Sequence, residues 1–96
     1  MFSAQLEKSR NAANLANARA IYAQLVADYL DDNEINVMPS GSVTAEGGTI
    51  TIGSNAYKFQ KVSSLSLTLP TDSKVAPVVT YTSEYTKGTD GKFGST

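Results

Sequence analysis

Residues 15–30 read LANARAIYAQLVADYL, and the fold turns on them. Leu15, Ala18, Tyr22, Leu25 and Tyr29 recur at alternating steps of three and four, with Ile21, Val26 and Leu30 widening the same stripe. That is the period of an α-helix with one face buried. A second stripe, Ala13, Ala16, Ala20, Ala23 and Ala27, has the same spacing but consists of methyl groups only. Advanced by about 100° per residue, Asn17, Gln24 and Asp28 fill a narrow polar sector beside it. One face wants a sheet to cover it, and the other is smooth enough for a close neighbour.

Towards the N-terminus, Ser3 is a suitable N-cap and an Ala-rich run follows, so the predicted helix spans residues 3–30. All seven Gly and all three Pro lie at position 39 or later, and Thr first occurs at Thr44. The composition shift divides one domain into a helical part, 1–34, and a strand-rich part, 35–96. A helix of about 28 residues is ~42 Å long, whereas the remaining ~60 residues form a body roughly 27 Å across. The bulky stripe begins only at Leu15, and Asn11 and Asn14 hold the same directions before it. Both arguments place the first dozen residues outside the core, as an overhang.

Towards the C-terminus, Ile50 and Ile52 alternate with Thr49 and Thr51, and Tyr57 and Phe59 with Lys58 and Gln60. Leu65, Leu67 and Leu69 alternate with Ser66 and Thr68. Gly47-Gly48, Gly53-Ser54-Asn55 and Pro70-Thr71-Asp72-Ser73 supply the breaks. A last strand is predicted over Val78–Thr86, opened by Pro77 and followed by a hairpin tip at Asp90-Gly91. Short connections favour an antiparallel meander. The expected fold is α+β, a long helix laid across an antiparallel sheet.

The chain has 96 residues, a formal charge of -1, and neither Cys nor His. Thiol nucleophiles, disulfides, imidazole bases and the commonest metal ligands are therefore absent, and no Gly-x-Ser-x-Gly elbow or Ser-x-x-Lys motif occurs. The reading is of a protein that is not an enzyme and needs no cofactor. Dispersed Lys and Arg give no footprint for nucleic acid.

Residues 2–25, FSAQLEKSRNAANLANARAIYAQL, resemble the stretch of type IV pilins and pseudopilins that follows their membrane-spanning helix half. Glu7-Lys8-Ser9-Arg10, Ala13, Ala16-Asn17, Arg19 and Tyr22 match that family's pattern over about a quarter of the chain. The resemblance implies a pilin-like ectodomain and a structural subunit that polymerises with itself or with other pilins into a cell-surface filament. It further implies a full-length form anchored in the membrane before assembly, with Met1 an added start residue. Phe2, Leu6, Ala13, Ala16, Ala20, Ala23 and Ala27 are the expected filament-packing residues. The absence of Cys departs from many Gram-negative pilins. The alternative is a secreted or pilus-tip binding module that uses its strand loops for adhesion.

Blander readings stand beside these. The Ala stripe also fits high helix propensity on a solvated face. Asp28, Asp31, Asp32 and Glu34 crowd a helix end where the macrodipole disfavours anions. A solvated acidic turn, a contact to a basic neighbouring subunit and a calcium site are the readings, although Asp31-x-Asn33-x-Ile35 breaks the EF-hand pattern. Lys87–Lys92 reads as a hairpin tip rather than a cation loop. Tyr81 and Tyr85 are the remaining candidates for a sugar-stacking surface, since Tyr22, Tyr29 and Tyr57 fall on core faces.

Overall fold

A computed structural model describes residues 3–95. Helix α1 runs Ala4–Asp32. Ser3 caps its start, the Oγ accepting the Leu6 N–H at 3.2 Å. Asn33 ends it in the left-handed conformation at φ 56°, with its N–H on the Tyr29 carbonyl at 2.7 Å. Six strands follow: β1 Ser40–Thr44, β2 Gly47–Ile52, β3 Asn55–Phe59, β4 Ser66–Thr68, β5 Val79–Thr82 and β6 Lys92–Phe93. All neighbouring pairs are antiparallel, in two separate three-stranded sheets ordered β1-β2-β3 and β4-β5-β6.

The helix packs on β3 of the first sheet and β5 of the second. It therefore bridges the two sheets. Ala18, Ile21 and Leu25 meet Ile50, Ile52 and Phe59 from one sheet and Val79 and Tyr81 from the other, all at most 2% exposed. The Phe59 and Tyr81 rings stand 6.3 Å apart and join the two halves. Leu15, Tyr22, Tyr29, Leu65, Leu67 and Leu69 pack around this core half-buried. The molecule measures 45 × 28 × 16 Å, its long axis matching the ~43 Å expected of a 29-residue helix.

The α+β expectation holds, with differences that have physical causes. The single sheet is two small ones. β1 has no apolar alternation; Gly41, at φ 104°, lets it lie so close to β2 that a Cβ there would overlap the Thr49 carbonyl oxygen. The predicted strand 78–86 stops at Thr82. There the Ser83 N–H bonds the Thr86 hydroxyl at 3.0 Å and the Tyr85 N–H bonds Ser83 Oγ at 3.1 Å, a local alternative to the ladder. Leu30, expected in the core stripe, is 75% exposed.

The expected overhang is corrected. Glu7, Asn11 and Asn14 are buried against Tyr81 of β5 and the segments that follow β3 and β5, so the helix is docked almost from its start. Polar groups fill these positions because the strand ends beneath them present hydrogen-bonding groups rather than apolar ones.

Candidate functional site

The helix offers three surfaces besides its core face. The first is the polar row, which clips the outer edge of the first sheet. Asn17 Nδ2 donates to the Lys58 carbonyl at 2.7 Å. Asn14 meets Gln60 twice, its Nδ2 donating to the carbonyl at 2.9 Å and its Oδ1 accepting the N–H at 2.7 Å. Gln24 Oε1 accepts from Tyr57 at 2.5 Å and from Asn55 at 3.1 Å. Asn17 and Asn14 thus satisfy backbone groups of β3 and the residue after it, as a further strand would, while Gln24 holds side chains of the same strand.

The second is the N-terminal polar cluster. Tyr81 is fully buried; its hydroxyl donates to Asn11 Oδ1 at 2.7 Å and receives Asn14 Nδ2 at 3.3 Å. Ser83 Oγ donates to the same Asn11 oxygen at 2.6 Å. Gly91 holds Tyr81 in place: the Tyr81 N–H bonds its carbonyl at 2.7 Å, and a Cβ at Gly91 would overlap the Tyr81 carbonyl oxygen. Glu7 receives the Ser63 N–H on one oxygen and the Tyr85 hydroxyl on the other at 2.8 Å. Hydrogen bonds from Ser63 and Tyr85 hold the Glu7 carboxyl below its ordinary 4.5, against the opposing effect of burial. The same bond pushes the Tyr85 phenol up to about 12. Tyr81 is raised chiefly by burial. The sugar-stacking reading of Tyr81 and Tyr85 is thereby corrected: one ring is inside and the other hydroxyl is engaged.

The third is the alanine face. Ala16, Ala20, Ala23 and Ala27 are exposed and Ala13 is half-buried, on the side of α1 turned away from both sheets. Leu6 is 45% exposed near the same helix's start. Phe2 lies outside the described residues. On the flank, Tyr22 stacks on Phe93 at 6.2 Å and the Arg19 guanidinium sits 5.5 Å over that ring.

The acidic helix end is largely occupied by its own chain. Asp28 accepts the Asn36 N–H at 2.7 Å, the Asn36 side-chain amide at 2.8 Å and the Val37 N–H at 3.1 Å. Those bonds, the Asn36 side chain's first, hold its carboxyl below the ordinary 3.8. Asp32 takes the same amide at 2.7 Å, and Glu34 pairs with Lys74 at 2.5 Å, which raises the lysine. Asp28 and Asp32 are satisfied here because the turn after Asn33 folds the donors of Asn36 and Val37 back onto the helix end. Among the described residues, no group of three acids is placed to hold a metal. The late loop is a turn, with Asp90 N–H on the Lys87 carbonyl at 3.0 Å.

Residue patterning foretold the core and alanine faces. It missed Glu7, Asn11 and Asn14, yet a signal existed: the buried helix positions 7, 11, 14, 18, 21 and 25 keep one unbroken 4-3 rhythm. Comparisons with protein-family models, with characterised proteins and with solved structures find no match to this chain. Among the described residues, no helix is long and apolar enough to cross a membrane.

Proposed function

We propose that this chain is a structural subunit of a type IV pilus or pseudopilus-like filament on the cell surface, assembling through the outer face of its N-terminal helix. The observation that carries this reading is the exposed alanine face on a 29-residue helix whose opposite face is filled by the chain's own sheets. Helix axes approach within roughly 8–10 Å, the lower end needing small contact residues, and an Ala row permits that approach. Docking Glu7, Asn11 and Asn14 onto the strands fixes the helix as a rigid element, so the face is presented in one orientation. In this reading Ala13, Ala16, Ala20, Ala23 and Ala27 form the seam, Phe2 and Leu6 extend it, and a full-length form is held in the membrane before assembly.

The test combines two readouts. Ala20→Leu with Ala23→Leu should change the thermal unfolding of the isolated chain little, because exposed positions away from caps and cores alter stability by about 0.5 kcal/mol or less. The same pair in the natural protein should abolish filaments sheared from producing cells and detected with an antibody against residues 3–95. Filaments that survive the double substitution, or cells that export the protein only as a free monomer, would overturn the reading, the latter in favour of a secreted binding module.

A further inference from the structure

We propose that the first two turns of α1 are a strap fastened to the body by one carboxylate, that of Glu7, and that protonating this group lets the strap unwind while the rest of the helix stays docked. The inference stands on the chain alone, whether or not filaments form. Ala4, Gln5, Leu6, Lys8 and Ser9 are exposed, and Glu7 is the one buried residue among positions 4–9. It holds two separate segments. One carboxylate oxygen accepts the Ser63 N–H, from the segment after β3, and the other accepts the Tyr85 hydroxyl, from the segment after β5, at 2.8 Å. The next anchors along the helix, Asn11 and Asn14, bond to the uncharged groups of Tyr81, Ser83 and Gln60, which acid does not titrate.

Two supports of the strap weaken together when Glu7 is neutralised. Hydrogen bonds to an ionised carboxylate are roughly twice as strong as those to a neutral group. Glu7 is also the acid of the helix's first turn, where the macrodipole favours an anion. With it neutral, the start of α1 carries the charges of Lys8 and Arg10, the sign that the macrodipole disfavours there. The groups that face Glu7 from the body are Tyr85 and Glu84 after β5 and Ser63 after β3; Ser63 Oγ donates to Glu84 at 2.7 Å, and Lys61, two residues before it, pairs with Glu46. Tyr85, pushed up to about 12, keeps its proton throughout the acid range. The bonds from Ser63 and Tyr85 hold the Glu7 carboxyl below its ordinary 4.5, so the strap is fastened above that value and opens as pH falls through the lowered one. Leu6 leaves with the strap, so under the filament reading the acid form keeps a seam that starts at Ala13.

Nuclear magnetic resonance relaxation on the 96-residue chain tests this. Between about pH 7 and about pH 3, backbone order parameters for residues 5–9 should fall from about 0.85 to below about 0.6, while those for residues 18–25 stay near the first value. The fall should share one midpoint with the titration of the Glu7 side-chain carboxyl carbon in the same sample. Glu7→Gln should free residues 5–9 already at neutral pH and remove the acid step. Tyr85→Phe should move the midpoint upward, because a bond that depresses the Glu7 carboxyl is gone. Glu84→Gln should leave the step in place. Strap residues that stay ordered in acid, or that are already mobile at neutral pH in the parent chain, would overturn the inference. Order lost together across residues 5–9 and 18–25 would do the same, since the strap would then have no motion of its own. A step that survives Glu7→Gln, or disappears with Glu84→Gln, would assign it to another group and sink the role of Glu7. Every one of these outcomes is read on the isolated chain and leaves the filament reading untouched.

Discussion

Tyr85 and Glu7 share one hydrogen bond that titrates at both ends of the pH scale. Glu7 is depressed below 4.5, so it stabilises the fold above that value and the contribution is lost as pH falls through its folded pKa. Tyr85 is raised from 10.0 to about 12, so its contribution is complete below pH 10 and is lost as pH rises from 10 towards 12. Tyr85→Phe should therefore flatten part of both the acid and the alkaline flank of a melting-temperature profile. In the unaltered chain, two of the five tyrosines, Tyr81 and Tyr85, should ionise late in a tyrosinate absorbance titration, and Tyr85→Phe should leave one. A late amplitude that Tyr85→Phe leaves undiminished would assign the shift elsewhere. Leu25 gives the apolar counterpart. It is fully buried, and Leu25→Ala should lower unfolding free energy by about 2–5 kcal/mol in denaturant titrations, leaving a cavity beneath the helix. A loss below 1 kcal/mol, on that same scale, would show that the two sheets close over the gap.

At the scale of elements, the helix does for β3 what a further strand would do. Asn14 gives and takes a hydrogen bond at Gln60, and Glu7 takes one from Ser63, outside any ladder. Asn14→Ala strips a fully buried position of these partners and should cost about 1–3 kcal/mol. Native-state hydrogen exchange should show the Gln60 amide protected in the parent chain and fast in the variant, with Ile50 and Ile52 unchanged. Equal acceleration throughout would mean the helix and sheets open only together. This docking was the part of the fold least legible in the sequence. Ile21 and Leu25 announce their burial through hydrophobicity, whereas Asn11 and Asn14 are buried by pairing, and pairing depends on partners some 46 to 72 residues away along the chain. β1 and β6 were illegible for a related reason. Ser40–Thr44 is mostly exposed and Lys92–Phe93 spans two residues, so both exist through partners rather than pattern. The alanine face was legible because it is defined by what it lacks.

At the scale of the whole molecule, a 96-residue chain without disulfides has to be held by one core, and here that core is shared between two sheets that both pack under α1 and also touch each other at β1 and β4. An ion that clamped the helix end to the following turn would be an obvious added staple, and the four acids from Asp28 to Glu34 invite one. Their geometry argues otherwise. Asp28 already receives three donors, Asp32 receives the Asn36 amide, and Glu34 is paired with Lys74, so a calcium ion would have to break these bonds to gain its six to eight oxygen ligands. The clamp is built from Asn36 instead, whose backbone and side-chain N–H groups tie the turn to the helix. A cation bound at a hundredfold excess over its Kd would add about 2.7 kcal/mol, which for a domain this small is several degrees of melting temperature. Melts in about 5 mM calcium and in about 5 mM EDTA should therefore coincide, whereas Asn36→Ala should lower both equally. An upward shift with calcium in the parent chain would show the acids trading their protein donors for the ion; a shift that appears only in Asn36→Ala would show that Asn36 occupies the place a cation would otherwise take.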